Sequence, residues 1–425
     1  MTIGYERARS FVTELIREYG VDALIEKLRP KTNDLPAHVP RRDEVSAEAI
    51  TQRWELFGVD DQVRAQLLDD WTVTNAAAFA RNIEHLIGTV KVPVGIAGPL
   101  RVNGLFAQGD YYVPLATTEA SLVASYSRGA NLITESGGAS VALLSEGVSR
   151  APMFTFDNIC ELGLFIDWVL SHIDEIIAAA NATSRFGKLR DLELCVEGTH
   201  VYILFIFQTG DAAGQNMVTI ATHAGVDWIL QNTPVQPTAS FLEANFSGDK
   251  KATAMSFQRV RGRKVVAEAR MPADLVRRWL HAEPEAMIEY AHAATVGAVM
   301  SGTLGVQAHL ANGLAALFLA CGQDVACVSE AAVGITSMEL TEDGDLHATV
   351  TLPNLIVGTV GGGTKLPSQS ACLALLGLKG AGSARAFAEV AAAICLAGEL
   401  SLTGAIVAGE FAAAHSRLAR GKELH

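Results

Sequence analysis

The run CELGLFIDWVLSHIDEIIAAANA (residues 160–182), followed by DLELCVEG (191–198), HVYILFIFQTG (200–210) and DAAGQNM (211–217), decides the fold. Apolar residues recur at helical spacing in the first segment and form short β-rich runs bounded by glycine in the next two. A helix therefore leads into two strands, and a second helix opens after DAAGQNM. That order predicts a small α+β layer domain over residues 151–244. Upstream, residues 1–88 hold charged amphipathic helical patterns such as YERARSFVTELIREYG (5–20) and AEAITQRWELF (47–57), separated by the turn-rich TNDLPAHVPRRDE (32–44). Between Val90 and Arg150 strand-like and helical runs alternate around PVGIAGPL and RVNG, and beyond Asn245 the alternation resumes with long Ala-rich helical patterns. The expectation is an α+β protein: a helical N-terminal region (1–88), a large mixed α/β domain (89–150 and 245–425) and the small domain (151–244) inserted in it.

Composition narrows the class. A chain of 425 residues, 49% hydrophobic, can bury large cores. A net charge of -13 argues against general nucleic-acid binding and against an anionic membrane surface, since both need basic surface. The six cysteines (160, 195, 321, 327, 372, 395) show no CxxC spacing, so they read as reduced thiols of a cytosolic protein, with no metal site implied. The N-terminus is charged throughout and lacks the apolar core of a signal peptide. One uncharged stretch, residues 290–323, could span a bilayer by length, but it holds His292, Gln307, His309 and Asn312 and reads as a buried helix pair.

Three segments carry chemistry. Glu119, in VPLATTEASLVASYS (113–127), is the only charged residue between Asp110 and Arg128. A carboxyl among small apolar residues loses hydration and tends to stay protonated, as a general acid must, while Thr117 and Thr118 read as helix N-caps whose dipole would oppose that shift. GTVGGGTK (358–365) lies between the apolar TLPNLIV and the helical SQSACLALLGL. Its glycines let a backbone approach phosphate or a planar ring, yet it is neither GxGxxG nor a P-loop, and a tight structural turn is an equal reading. GDAAGQNM (210–217) places Asp211 and Asn216 around a glycine at a helix start, where an anion site and a simple cap are both open.

Together these segments resemble the hydroxymethylglutaryl-CoA reductases, from about Asn82 to Arg420. NIEHLIGTVKVPVGIAGPL is similar to the family's dimer-forming segment, VPLATTEASLVAS to its catalytic-glutamate motif, GDKK to its catalytic-lysine motif and GQD to its catalytic aspartate. DAAGQNM and GTVGGGTKLPSQ match its nucleotide segments, and AAAHSR its terminal-flap histidine. The resemblance implies that two hydrides from two nicotinamide nucleotides convert a thioester to a primary alcohol and release CoA, with a ferredoxin-like small domain binding the nucleotide. It makes Glu119, Lys250, Asp324 and His415 catalytic: acid, oxyanion-stabilising cation, the carboxylate that holds the lysine charged and couples to Glu119, and donor to the CoA thiolate. Ser184, Arg185 and Phe186 match class I members, whose Ser and Arg meet the ribose 2′-phosphate, so NADPH is expected. Asp211, Gly214, Asn216, Met217, Val360, Gly361, Gly362 and Gly363 complete the nucleotide set. CoA falls to Ser125 and Arg128, and the acyl group to Arg150, Asp249, Lys251 and Asn312.

Two positions depart from the family's animal-type members. Glu243 stands where they have serine, seven residues before the lysine, and Ala293 where they have a lysine. Both family residues hold the distal carboxylate of the substrate, so another acyl thioester, on CoA or a carrier protein, is an alternative, with a catalytically silent binding homologue behind it. Glu243 is expected either to pair with Arg150 or to turn outward. Arg420 is followed by Gly421 rather than a phosphorylatable serine, so that switch should be absent. With no anchor-like segment, the chain looks like a soluble, bacterial-style cytoplasmic enzyme, a dimer or tetramer with sites across the subunit interface.

Overall fold

The computed structural model describes residues 4–33, 35–41 and 43–410. The chain divides into two compact units, residues 1–89 and 90–425. The first is helical: α1 (Tyr5–Tyr19), α2 (Val21–Leu28), α3 (Ala47–Trp54), α4 (Asp61–Leu67) and α5 (Asp70–Thr74). Side-chain oxygens cap the last three, with Ser46 accepting from Ala49 N–H, Asp60 from Val63 N–H and Asp69 from Thr72 N–H. Arg53 is fully buried, and its guanidinium donates to the carbonyls of Pro40, Arg41, Glu44 and Leu86. Four acceptors offset the desolvation of one buried cation.

The second unit opens with β1 (Val94–Gly104), β2 (Gln108–Ala116), α6 (Leu122–Glu135) and β3 (Ala139–Arg150). A compact run follows: β4 (Met153–Thr155), α7 (Ile159–Ser171), α8 (Ile173–Asn181), β5 (Lys188–Glu197), β6 (His200–Gln208), α9 (Gln215–Asn232) and β7 (Ala239–Phe241). These strands lie in the order β7-β4-β6-β5, all antiparallel. With helices between the first and second strands and the third and fourth, this is the ferredoxin-like βαββαβ arrangement, with its own core around Phe154, Phe165, Phe205 and Phe207. The single helix expected at 160–182 is two. His172 Nδ1 lies 2.8 Å from the Trp168 carbonyl, the acceptor that its own backbone N–H would use, and that N–H bonds Val169 instead. The break follows from that competition.

The chain then returns through β8 (Gly262–Met271), α10 (Ala273–Leu280), α11 (Pro284–Ser301), α12 (Leu310–Cys321), α13 (Val328–Ala331), β9 (Ile335–Leu340), β10 (Leu346–Leu355), α14 (Pro367–Leu375) and α15 (Ala384–Val407). Strand β3 serves both layers. Its residues 140–147 pair with β8, across a bulge between Leu143 and Ser145, and residues 148–150 pair with β6. The main core is built around α15, which packs on α6, α12, β8 and β10. Two carboxylates are buried on it. Glu389 accepts from the amides of Leu105, Phe106, Ala107 and Leu143, and Glu399 from those of Ala308 and His309 and from the Thr336 hydroxyl. Each pins a loop to the central helix.

The uncharged stretch 290–323 is interrupted at Gly302, whose left-handed φ of 72° ends α11. Only α12 is a core helix. Along α11, Pro284 and Met287 alone are buried, and Val296, Val299 and Met300 are exposed. The one described helix long and apolar enough to cross a membrane is α15, and 83% of its apolar window is buried inside the protein.

Candidate active site

The predicted residues gather at the two ends of α12. At its N-terminal end, Asn312 Nδ2 donates to both carboxylate oxygens of Glu119, at 3.2 and 3.1 Å. Glu119 is not on a helix. Helix α6 starts at Leu122, after Ser121 in the left-handed region (φ 74°), and Thr117 caps no helix, its hydroxyl accepting the Glu119 N–H at 2.9 Å instead. Nor is Glu119 buried: it is exposed in the single chain, on the wall of a cavity of about 430 Å³ that runs along α6 past Ser125 and Arg128 to Glu410. Ser125 Oγ lies 2.9 Å from Ser401 Oγ, and Arg128 donates to the Ser401 carbonyl at 2.7 Å and faces Glu410 at 3.7 Å. Both predicted CoA residues thus line the groove that leads to the predicted acid.

At the far end of α12, Lys250 Nζ pairs with Asp324 Oδ2 at 2.8 Å. That hydrogen bond raises the ammonium's pKa above the ordinary lysine value, against partial desolvation. Asp324 also caps the short turn that follows it, accepting the Ala326 N–H at 3.1 Å. Behind the pair lies a buried network. Arg150 donates to Thr219 (3.0 Å), Asp249 (2.8 Å) and Gln215 (3.1 Å), and Arg261 reaches Asp249 (2.8 Å), Gln215 (2.8 Å) and both oxygens of Glu330 (2.6 Å). Among the described residues, Lys251 Nζ bonds only the Asp249 carbonyl, at 2.9 Å. Glu243 neither pairs with Arg150 nor turns outward. Its Oε2 accepts the Ala151 N–H at 3.3 Å, and its buried Oε1 has no hydrogen-bond partner among the described residues. Ala293 is exposed on α11.

The two clusters do not meet within one chain. Asn312 sits in the first turn of α12 and Asp324 beyond its end, so roughly 18 Å of helix lies between them. No described hydrogen bond or ion pair joins Glu119 to Lys250 or Asp324, and the expected coupling of Asp324 to Glu119 is absent within the chain. His415 and Gly421 lie outside the described residues.

The two glycine-rich segments, far apart in sequence, come together. Ala212 bridges Val360, and the Thr359 and Val360 amides donate to the Asp211 carbonyl at 2.9 and 3.3 Å. Gly358 packs so tightly on this turn that a Cβ would stand 2.4 Å from Ala213 N. Beyond it, Gly361 and Gly362 have positive φ and nothing within 4 Å of where a Cβ would be. Gly363 closes the loop against Gly322. Asp211 itself is a pin: its two carboxylate oxygens accept from Gly382 N–H (2.8 Å) and Ala384 N–H (3.2 Å), at the start of α15. Helix α9 begins after Gly214, exposing Asn216, and Ser184 Oγ reaches Met217 Sδ at 3.2 Å, so the Ser184–Arg185–Phe186 turn abuts the same helix end. Arg185 is exposed with no ion pair among the described residues, and Phe186 is 78% exposed.

Reading the sequence missed Gln215, Arg261 and Glu330. Gln215 was inside a quoted motif, and Arg261 in RVRGRK reads as solvated charge. Glu330 carried a usable signal, since it is the only charged residue between Asp324 and Glu339.

A lysine held charged by a carboxylate, an amide-bound glutamate at the head of a long groove, and an open glycine loop beside a ferredoxin-like layer form a site laid out as in the reductases of acyl thioesters that the sequence resembles. The profile of hydroxymethylglutaryl-coenzyme A reductase matches residues 49–420, and the chain belongs to that family. It is 40% identical over 395 residues to the 3-hydroxy-3-methylglutaryl-coenzyme A reductase of Methanothermobacter thermautotrophicus, covering 92% of this chain and 98% of that one. It is 43% identical over 350 residues to the reductase of Pyrococcus horikoshii, covering 80% and 84%. In fold it is similar to the class II 3-hydroxy-3-methylglutaryl-CoA reductase of Streptococcus pneumoniae, solved bound to NADPH, with a TM-score of 0.63, 21% identity, and 82% and 96% of the two chains covered.

Proposed function

We propose that this protein reduces 3-hydroxy-3-methylglutaryl-CoA to mevalonate, with two NADPH oxidised and one CoA released. The observation that carries the reading is the Lys250–Asp324 pair at 2.8 Å, a cation kept protonated where a carbonyl oxygen would gain charge. The nucleotide supplies hydride when bound, and the residues present fit it: open glycines at 361 and 362 for close approach, and a free Arg185 guanidinium for a 2′-phosphate. Asp211 takes no part in that contact, being committed to α15. Glu119 delivers the proton to the reduced carbonyl oxygen, and Asn312 orients it. Ser125 and Arg128 hold CoA along the groove. His415 keeps the family's role as donor to the CoA thiolate. We assign residues 89–150 and 245–425 to the substrate domain and 151–244 to the nucleotide module.

The roughly 18 Å between the two clusters supports a homodimer, paired or not into a tetramer, in which Glu119 of one subunit completes the Lys250 site of the other. The exposed Val296, Val299 and Met300 give α11 an apolar face for such a partner, and cover over Glu119 would supply the desolvation an acid needs. Six free thiols fit the reducing cytoplasm.

The test is NADPH oxidation with hydroxymethylglutaryl-CoA against a panel of acyl-CoA thioesters. Two NADPH consumed per CoA released is the expected result. Turnover only with a different thioester would keep the chemistry and overturn the substrate. That second reading draws on Glu243 Oε1, a buried acceptor lacking a donor, and on Arg150, whose guanidinium already has three acceptors.

A further inference from the structure

Lys250 has a φ of 55°, in the left-handed region that side-chain-bearing residues avoid unless their surroundings hold them there. The restraint is visible. Its N–H donates at 3.1 Å to Oε1 of Glu330, a carboxylate with no solvent exposure on α13. Arg261 Nη1 holds both oxygens of that carboxylate at 2.6 Å. Residues 324–330 therefore grip the lysine twice, Asp324 at the ammonium and Glu330 at the amide. The groups facing the ammonium are Asp324 and Cys327 from this segment and Asp249 from the lysine's own turn.

We propose that Glu330 is a positioning residue for the reaction: it fixes the left-handed backbone at Lys250, so that the ammonium stays in register with Asp324 and with the oxyanion. Complete burial keeps Glu330 from substrate and nucleotide, so it acts through the two groups it holds, the Lys250 amide and the Arg261 guanidinium. The inference rests on the role given to Lys250 above.

Removing Glu330 alone would strand the Arg261 charge, so the comparison is made with Arg261→Met in both proteins. Glu330→Gln/Arg261→Met keeps an oxygen for the Lys250 amide, and Glu330→Leu/Arg261→Met removes it. Three quantities are read on the full chain: hydrogen exchange of the peptide 246–253, kcat against KM, and the pH of the alkaline limb of kcat. The Gln protein should protect the Lys250 amide and keep its alkaline limb at a higher pH than the Leu protein, both having lost the Arg261 bonds to Asp249 and Gln215 alike. In the Leu protein the amide should exchange freely, kcat should fall by about tenfold or more with KM little changed, and the limb should move to lower pH. If the two proteins match in all three, the proposal is wrong. Should Arg261→Met not fold, the same Gln and Leu pair is compared with Arg261 retained. Absence of turnover in the wild type would sink the functional reading alone, because the exchange measurement still decides whether Glu330 holds the amide.

Discussion

The two ends of α12 carry the two halves of the site, and they are built in opposite ways. At the C-terminal end, Lys250 is fixed through its ammonium and its amide, and the network behind it links Arg150, Gln215, Asp249, Arg261 and Glu330. At the N-terminal end, Glu119 is exposed and its carboxylate has one side-chain partner, Asn312. A cation that must meet developing charge gains from being rigid before the substrate arrives. In the dimer proposed above, a proton donor left open in the single chain is finished only on assembly.

The most severe way to break this contrast is to remove each half in turn. Lys250→Met should lower kcat by about 10²–10³, as for loss of one oxyanion donor. Glu119→Gln should be similarly poor. Unfolding and refolding the two variants together should restore about a quarter of wild-type activity if each site draws its halves from two subunits, since half the dimers are mixed and one site in each is intact. No recovery would place both halves in one chain. Arg185→Ala tests the third, nucleotide-facing region: losing one charge-assisted contact should reduce the preference for NADPH over NADH by roughly tenfold to a hundredfold, read as kcat/KM with each nucleotide. An unchanged preference would remove Arg185 from the site.

The mildest expected effect concerns pH. Asp324 raises the Lys250 pKa, so the ammonium's favourable interaction is complete below the ordinary lysine value and is lost only as pH rises through the raised one. Asp324→Asn should therefore bring the alkaline limb of residual kcat down in pH. An unmoved limb would mean that another group sets it.

Much of this arrangement was legible in the sequence, and the misses share one cause. The helix–strand–strand–helix order of the inserted layer was readable because periodicity changes with each element, whereas its flanking strands β4 and β7, three residues each, are too short to show a period, and the ferredoxin-like form came only from the resemblance. The break at His172 was not readable, because it depends on a side chain taking a backbone acceptor. A lone carboxylate in an apolar stretch implies lost hydration at Glu119, which is exposed in the single chain. The same criterion holds at Glu330, which is wholly buried. Spacing shows that a charge is isolated along the chain, and only tertiary packing determines whether it is isolated from water. Arg150 and Asp249 came from motif resemblance, whereas Arg261 and Gln215 needed the folded network to bring together segments about 46 residues apart.

The shared strand β3 has a mechanical consequence. The ferredoxin-like layer is joined to the main layer through a continuous ladder as well as through connecting loops. A hydrogen-bonded strand resists stretching and shear and yields mainly by flexing out of its plane. Any displacement of the 151–244 layer against the rest of the sheet therefore has to bend this ladder, and the bulge between Leu143 and Ser145, where the ladder already slips register, is its nearest soft point.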